Sequence, residues 1–356
     1  MRARMVVGPA LIALVATISA EAAQRTFVST TGIDTNACSL VAPCRSFGAA
    51  LSHTDSGGEV IVVDSGAYGR VTISQPVTIE APAGVYAGIS VFAATNGIDV
   101  NAPGATVTLR GLSINGQGGD IGIDVSAVGF LRIDRCRISS MGAQGVVITS
   151  GSVVITNAYI NDNGHDGVSA DGVVDVVVQN TVSAHNLSGA AFFNGARAVL
   201  RDSTFTKNKV YGLYASGGPT ATPTTLRADG IDVSYSASTG MYLPGVASSF
   251  LTVTITRSTI VGNAGNGLYA DGSSGPVDVT ISDSTFSNHH TAGMPAIAAG
   301  GTTNIVVSRS VVVDNASVAF FQFSGTLFES RGDNTVRNNN SGGAQTAGTI
   351  TTFGGT

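Results

Sequence analysis

The chain has no tryptophan, three cysteines, five histidines and only 12% charged residues among 356. Each shortage narrows what it can be. Lys207 and Lys209 are its two lysines, and the net charge is −5. No basic stripe is present to displace phosphate counterions, so no nucleic-acid partner is expected. His289 and His290 stand apart from the other histidines, and no Cys/His spacing suits zinc, so no metal site is expected. No glycine loop leads from a strand into a helix to cradle phosphates, and no cofactor is implied. After residue 22 there is no run of ~18 uninterrupted apolar residues, so no membrane span is expected in the mature chain. The little charge there is accompanies 43% hydrophobic residues and 46 glycines. That is too apolar for disorder, and the glycines lack the period of three that collagen needs.

What is present begins with MRARMVVGPALIALVATISAEAAQ. Two arginines precede a short apolar run interrupted by Gly8-Pro9, and Ala20-Glu21-Ala22 has the small-x-small pattern of a cleavage site. Residues 1–22 are therefore expected to be a signal peptide rather than an anchor, and the protein to be secreted, periplasmic or extracellular. In an oxidising compartment Cys38 and Cys44, six residues apart in a loop, can form a disulfide. Cys136 has no evident partner and is expected in the core.

From about residue 57 short Val/Ile/Thr-rich runs alternate with Gly, Asn, Asp and Ser. A marker glycine recurs at Gly122, Gly145, Gly167, Gly189, Gly212, Gly240, Gly267 and Gly293, with spacings of 22 to 28 residues. A second marker, an apolar residue shortly before asparagine, keeps step with it: Ile160/Asn163, Phe205/Asn208, Ile260/Asn263, Phe286/Asn288 and Val312/Asn315. A period near 22 also fits leucine-rich repeats, but the leucine skeleton and helical half are missing. Strand, turn, strand, turn remains, and such a unit must stack on its neighbours to bury its apolar face. The expected fold is all-β, a right-handed parallel β-helix of about 10–12 coils. A column of small residues, Cys136, Ala158, Ser203, Ser258, Ser284 and Ser310, suits a tight inward corner. Turn asparagines can satisfy backbone groups. Arg45–His53 looks amphipathic and is expected to form a helical cap. The domain reading is a segment of residues 23–56 carrying disulfide and cap, one solenoid over 57–340, and a tail over 341–356. The stretch 217–225 is expected to protrude as a loop.

The stretches VSTTGIDTNACSLVAPCRSFGAAL and GGEVIVVDSGAYGRVTI resemble the opening of secreted bacterial β-helix proteins of the pectin-lyase-like superfamily. That resemblance implies the fold. The superfamily spans pectate lyases, polygalacturonases, pectin esterases, alginate epimerases, tailspikes and non-enzymatic surface proteins, so it does not select an activity. The motif residues of those enzymes are mostly missing. NDNGHDG interrupts the polygalacturonase Gly-His-Gly, and neither the epimerase Asp-Pro-His-Asp nor a calcium nonapeptide is present.

Two columns remain as site candidates. Asp162, His185 and Lys207 each directly precede the turn asparagine on consecutive repeats, within ~10 Å end to end. A carboxylate, an imidazole and an ammonium so placed could neutralise a uronate and move its proton, as a lyase or epimerase must; an exposed charge ladder is the plain alternative. Tyr214, Tyr242 and Tyr269 lie two residues after the marker glycine, in a column read as Asp124, Val147, Ser169, Ala191, Tyr214, Tyr242, Tyr269 and Pro295. They should point outward as an apolar strip with polar tips, suited to polysaccharide or a cell-surface component, or as a cross-strand ladder that merely stabilises the sheet. The leading expectation is binding without catalysis, with a polysaccharide lyase or epimerase on a uronate-containing glycan as the alternative.

Overall fold

Short runs of alternating apolar and polar residues make strands too brief to bury anything alone, and breaker residues every few positions force the chain to turn. In the computed structural model, which describes residues 23–217, 222–323 and 325–353, the chain accordingly winds into an all-β parallel solenoid of about 11 turns. The expected leader lies outside the described residues, as does most of the tip of the 217–225 loop. Each coil lays one strand on each of three faces. In one coil these are Val146–Ile148, Ser152–Thr156 and Tyr159–Asn161. Each pairs in parallel with its counterpart one coil on: Val146 with Val168, Ser152 with Asp175, Tyr159 with Val182. After residue 340 the winding continues, and Ile350–Phe353 pairs with Leu327–Arg331.

Inward residues form continuous buried stacks. On the first face one stack runs Ile123, Val146, Val168, Ala190, Leu213, Met241, Leu268, Ile297 and Phe320, and its neighbour includes Ala170, Phe192, Ala215 and Leu243. Volume is balanced between them: the coil with Ala190 carries Phe192, and the next has Leu213 with Ala215. Close packing requires such compensation, because a void or an overlap in one coil is felt by both neighbours.

Two corners per coil hold the third-face strand between them, and both use left-handed backbone. They lie five residues apart: Asn157 and Asp162 have φ of 54° and 58°, Asp202 and Lys207 have 45° and 54°, and Asp283 and Asn288 have 51° and 57°. The small column just inside the first corner is a hydroxyl ladder. Ser258 N–H donates to Ser284 Oγ, and Ser284 N–H to Ser310 Oγ, both at 3.2 Å, while each of these hydroxyls donates to the carbonyl two residues before it. Cys136 shares the column, fully buried, its thiol pushed up to about 11 by burial.

At the second corner the asparagines form a buried ladder. Met141, Asn163 and Asn186 each donate a backbone N–H, at 3.0 Å, to the side-chain oxygen of Asn163, Asn186 and Asn208 respectively. Farther on, His289 donates to Asn315 and Asn315 to Asn339. Gln345 then ends the series, accepting at 3.0 Å from both the Asn339 backbone and its side-chain amide. The marker glycines lie directly against this ladder. A Cβ at Gly145, Gly167, Gly189 or Gly240 would sit 2.7–3.0 Å from the amide nitrogen of Asn163, Asn186, Asn208 or Asn263 in the next coil, and 2.5–2.7 Å from a glycine carbonyl. None of these glycines is needed for its φ. They are needed for the closeness, which is why the two sequence markers keep step.

Three expectations change. The ladder residue after Phe286 is His289, not Asn288, which occupies the left-handed corner. The glycine column passes through Ala296, not Gly293, because the coil from Leu268 to Ile297 carries a longer turn. A helical cap is not found as expected: Arg45–His53 yields one helix, Phe47–Ser52, six residues long. Thr54 already enters the strand Thr54–Val62, which pairs with Ala23–Val28, so the helix has little more than one turn in which to cover anything. Cys38 and Cys44 are disulfide-bonded beside it.

Where asparagine is replaced the ladder has gaps. Ser236 Oγ and both ring nitrogens of His289 are buried without a partner. Burial first, and then the neighbouring His290, depresses the His289 imidazole to about 4 from an ordinary 6.5. The unfolded chain therefore binds more protons between these values, and stability should fall as pH drops from about 6.5 to 4, by up to ~1.4 kcal/mol per unit and roughly 3 kcal/mol in all. Urea unfolding across that range should show this slope, and His289→Asn should flatten it while raising stability at pH 5.

Candidate functional site

The structure stacks Asp162, His185 and Lys207 on consecutive coils. Their preceding residues Asn161, Ala184 and Thr206 are paired in register, and the backbone N–H of each bonds to the next coil. Asp162 Oδ1 stands 3.9 Å from His185 Nδ1. The side chains are 55% and 47% exposed, and Lys207 is exposed too. Asp162 also accepts from the Asn161 side chain. All three occupy the left-handed corner, an outer ridge of the coil. Solvent screens such charges, and neither the cavity beside His289 nor that beside Tyr269 includes them. Asp166 of the same turn differs. It is half-buried in the turn before the first-face strand, and burial above all raises its carboxyl.

The tyrosine column is realised and extended. Tyr214, Tyr242 and Tyr269 are register partners on the first face, each half-buried. The Tyr242 and Tyr269 rings stack with centroids 5.7 Å apart, and Tyr214 meets Tyr242 edge-on at 5.8 Å. The column continues through Ala298 and Phe321, and Pro295 is not part of it, because the longer turn displaces it. Two rings not foreseen complete the cluster: Tyr211 lies 5.1 Å from Tyr242, and Phe193 lies 5.3 Å from Tyr214. Tyr211 stands just before the marker glycine Gly212, a position that is buried in the coils of Ser188, Thr239 and Asn266, so the period of the glycines gave no signal for it. Phe193 lies two residues along its strand from Ala191, on the same outward face.

Beyond Tyr269 the strip runs into a cavity of about 180 Å³ lined by Asn266, Tyr269, Met294, Pro295, Ala298 and Phe323. Its wall is the long turn. Asn266 holds that turn by donating its side-chain amide to the Pro295 carbonyl at 2.7 Å. Phe321 and Phe323 pack edge-on at 4.5 Å on the far side. The Tyr242 and Tyr269 phenols stay protonated. Burial first, and then the Asp271 carboxylate, pushes Tyr242 up to about 12 and raises Tyr269 as well. They are thus neutral hydroxyls on flat apolar bodies, able to donate and accept hydrogen bonds.

Lys207 offers a test of the ridge. A lysine in left-handed backbone costs about 1–2 kcal/mol, while Gly262 already occupies the same column. Lys207→Gly should therefore raise the unfolding free energy by about 1 kcal/mol in thermal or urea denaturation. A loss of ligand binding or turnover in the same variant would instead mark the strain as functional.

Compared with known proteins, residues 78–229 and 240–353 match the model of a family described as right handed beta helix region. No curated protein matches the chain by sequence. Among solved structures, the A-module of a mannuronan C-5 epimerase from Azotobacter vinelandii superposes with a TM-score of 0.65 at 16% identity, over 86% of this chain and 93% of that one. A pectate lyase gives 0.55 at 15% identity, covering 88% and 79%. The Dettilon tailspike gives 0.51 at 11% identity, covering 92% and 68%. At such identities the likeness is one of fold.

Proposed function

The chain belongs to the right-handed β-helix family, and we propose that it is a secreted polysaccharide-binding member whose binding surface is the first-face aromatic strip, acting without catalysis. One observation carries the reading: five aromatic rings, Phe193, Tyr211, Tyr214, Tyr242 and Tyr269, form a contiguous half-buried cluster on the first face and end in an apolar cavity. A ladder serving only the sheet would need register pairs. Tyr211 and Phe193 stand outside the central column and widen the patch beyond what strand pairing requires. Flat rings with polar tips match the alternately apolar and hydroxylated surfaces of sugars. The neighbours in fold are named as a mannuronan epimerase, a pectate lyase and a tailspike, which makes a polysaccharide partner the natural choice. The Cys38–Cys44 disulfide and the leader-like residues 1–22 support a site of action outside the cytoplasm.

The other reading is a lyase or epimerase working on uronate glycans through Asp162, His185 and Lys207, and the 3.9 Å approach of Asp162 to His185 speaks for it. Against it stand the exposure of all three and their place on a corner.

Affinity electrophoresis in gels containing soluble polysaccharides should retard the protein in at least one, and Tyr242→Ala should weaken that retardation tenfold or more while Tyr242→Phe preserves most of it. Unretarded migration in every gel would sink the proposal. On alginate and pectate, the absorbance of unsaturated uronate should stay flat over hours. A rise abolished by both Asp162→Asn and His185→Ala would establish the lyase.

A further inference from the structure

The first face is one-sided in charge. Its ten successive strand segments, from residues 98–102 to Phe320–Gln322, carry Asp99, Asp124, Asp171 and Asp271 and neither lysine nor arginine. Asp166 adds a fifth carboxylate at the edge. The arginines of the same coils lie elsewhere: Arg132, Arg197, Arg201 and Arg227 belong to second-face strands, and Arg257 and Arg309 to the first corner. Lys209, the cation nearest in sequence to Tyr211, bends back so that its amino group lies 3.5 Å from the Asn163 carbonyl. Asp271 sits within the strip itself, close enough to Tyr269 and Tyr242 to raise both phenols.

A ligand lying along this face meets phenols, an apolar cavity and carboxylates. A polyuronate would bring one carboxylate per sugar against strands that carry neither lysine nor arginine among the described residues, and the fixed acids would repel it. An uncharged glycan meets no such penalty. Its ring faces can rest on Tyr214, Tyr242 and Tyr269, its hydroxyls can bond to phenols and to Asp271, and its end can enter the cavity at Met294 and Phe323. From the coil of Phe193 to that of Phe321 the strip is about 24 Å long at ~4.8 Å per coil, enough for a short oligosaccharide.

We propose that the aromatic strip takes an uncharged polysaccharide and that its carboxylates exclude polyuronates. The proposal rests on the binding function assigned above and fixes the class of its ligand.

The test uses the mature protein on immobilised neutral glycans (glucan, xylan and galactomannan) and on alginate and polygalacturonate, each at 20 and 500 mM NaCl, with and without 5 mM CaCl2. Expected is retention on at least one neutral glycan that changes less than twofold with salt, is lost at least tenfold in Tyr242→Ala and is kept in Tyr242→Phe. Little retention on the polyuronates is expected under any of these conditions. Asp271→Lys should create uronate binding that 500 mM NaCl abolishes. Wild-type retention on a polyuronate that Tyr242→Ala removes, with or without calcium, would overturn this inference and leave the binding function standing. Retention on nothing, or retention indifferent to Tyr242, would overturn both. Unchanged far-ultraviolet circular dichroism and melting temperature in the variants separate lost binding from lost fold.

Discussion

The contact between the marker glycines and the asparagine ladder is the constraint on which the molecule depends. A solenoid can slide: its strands are short, and a shift by two residues keeps every side chain on its proper face. Packing alone therefore fixes the register weakly. The ladder fixes it strongly, because each asparagine is buried, accepts from the coil before it, and fills space that any Cβ at the facing glycine would occupy. An unmet buried donor or acceptor costs about 1–3 kcal/mol. A slipped coil would lose its own bond and break its neighbour's.

This coupling also explains what could be read from the sequence. Fold and coil spacing were legible because two chemically different residues, glycine and asparagine, recur at a fixed offset, and one contact imposes both. Legibility failed where the contact relaxes. Past Gly267 the column holds Ala296 and the ladder holds His289, so Gly293 and Asn288, nearby in sequence and of the right type, stood in for the residues actually in register. The misplacement of Pro295 follows from the same slip. The helical cap failed for another reason. Amphipathic periodicity over Arg45–His53 is real, with Phe47, Ala50 and Leu51 buried, but so short a window cannot tell one turn from a covering helix.

The two candidate columns show how a solenoid divides labour. Corners must adopt left-handed backbone and expose whatever side chain stands there, so a column of Asp, His and Lys arises from residues whose first role is to turn the chain. Faces have no such duty. The outward positions of the first face are free of backbone demands, and an unbroken run of large rings there is a choice that the fold does not require. Its central column was legible from the period of the glycines. Its width was not, because Tyr211 and Phe193 join through side-chain reach across coils.

Gln345 gives the ladder an end. The backbone N–H bonds of the series all point the same way, from one coil to a side-chain acceptor in the next, while asparagine amides donate back to carbonyls of the coil before, so the ladder has a head and a tail. At the tail, the donors of Asn339 meet an oxygen supplied six residues later in the same chain, and Gln345 returns a bond to the Asn339 carbonyl. The acceptor place that the next asparagine takes at other rungs is here filled from within. A repeating template of this kind invites fibre growth, since each copy could continue the next. Here Gln345 takes the acceptor place beside Asn339 from within the same chain, so at that rung the ladder leaves no open donor for a neighbouring copy to meet.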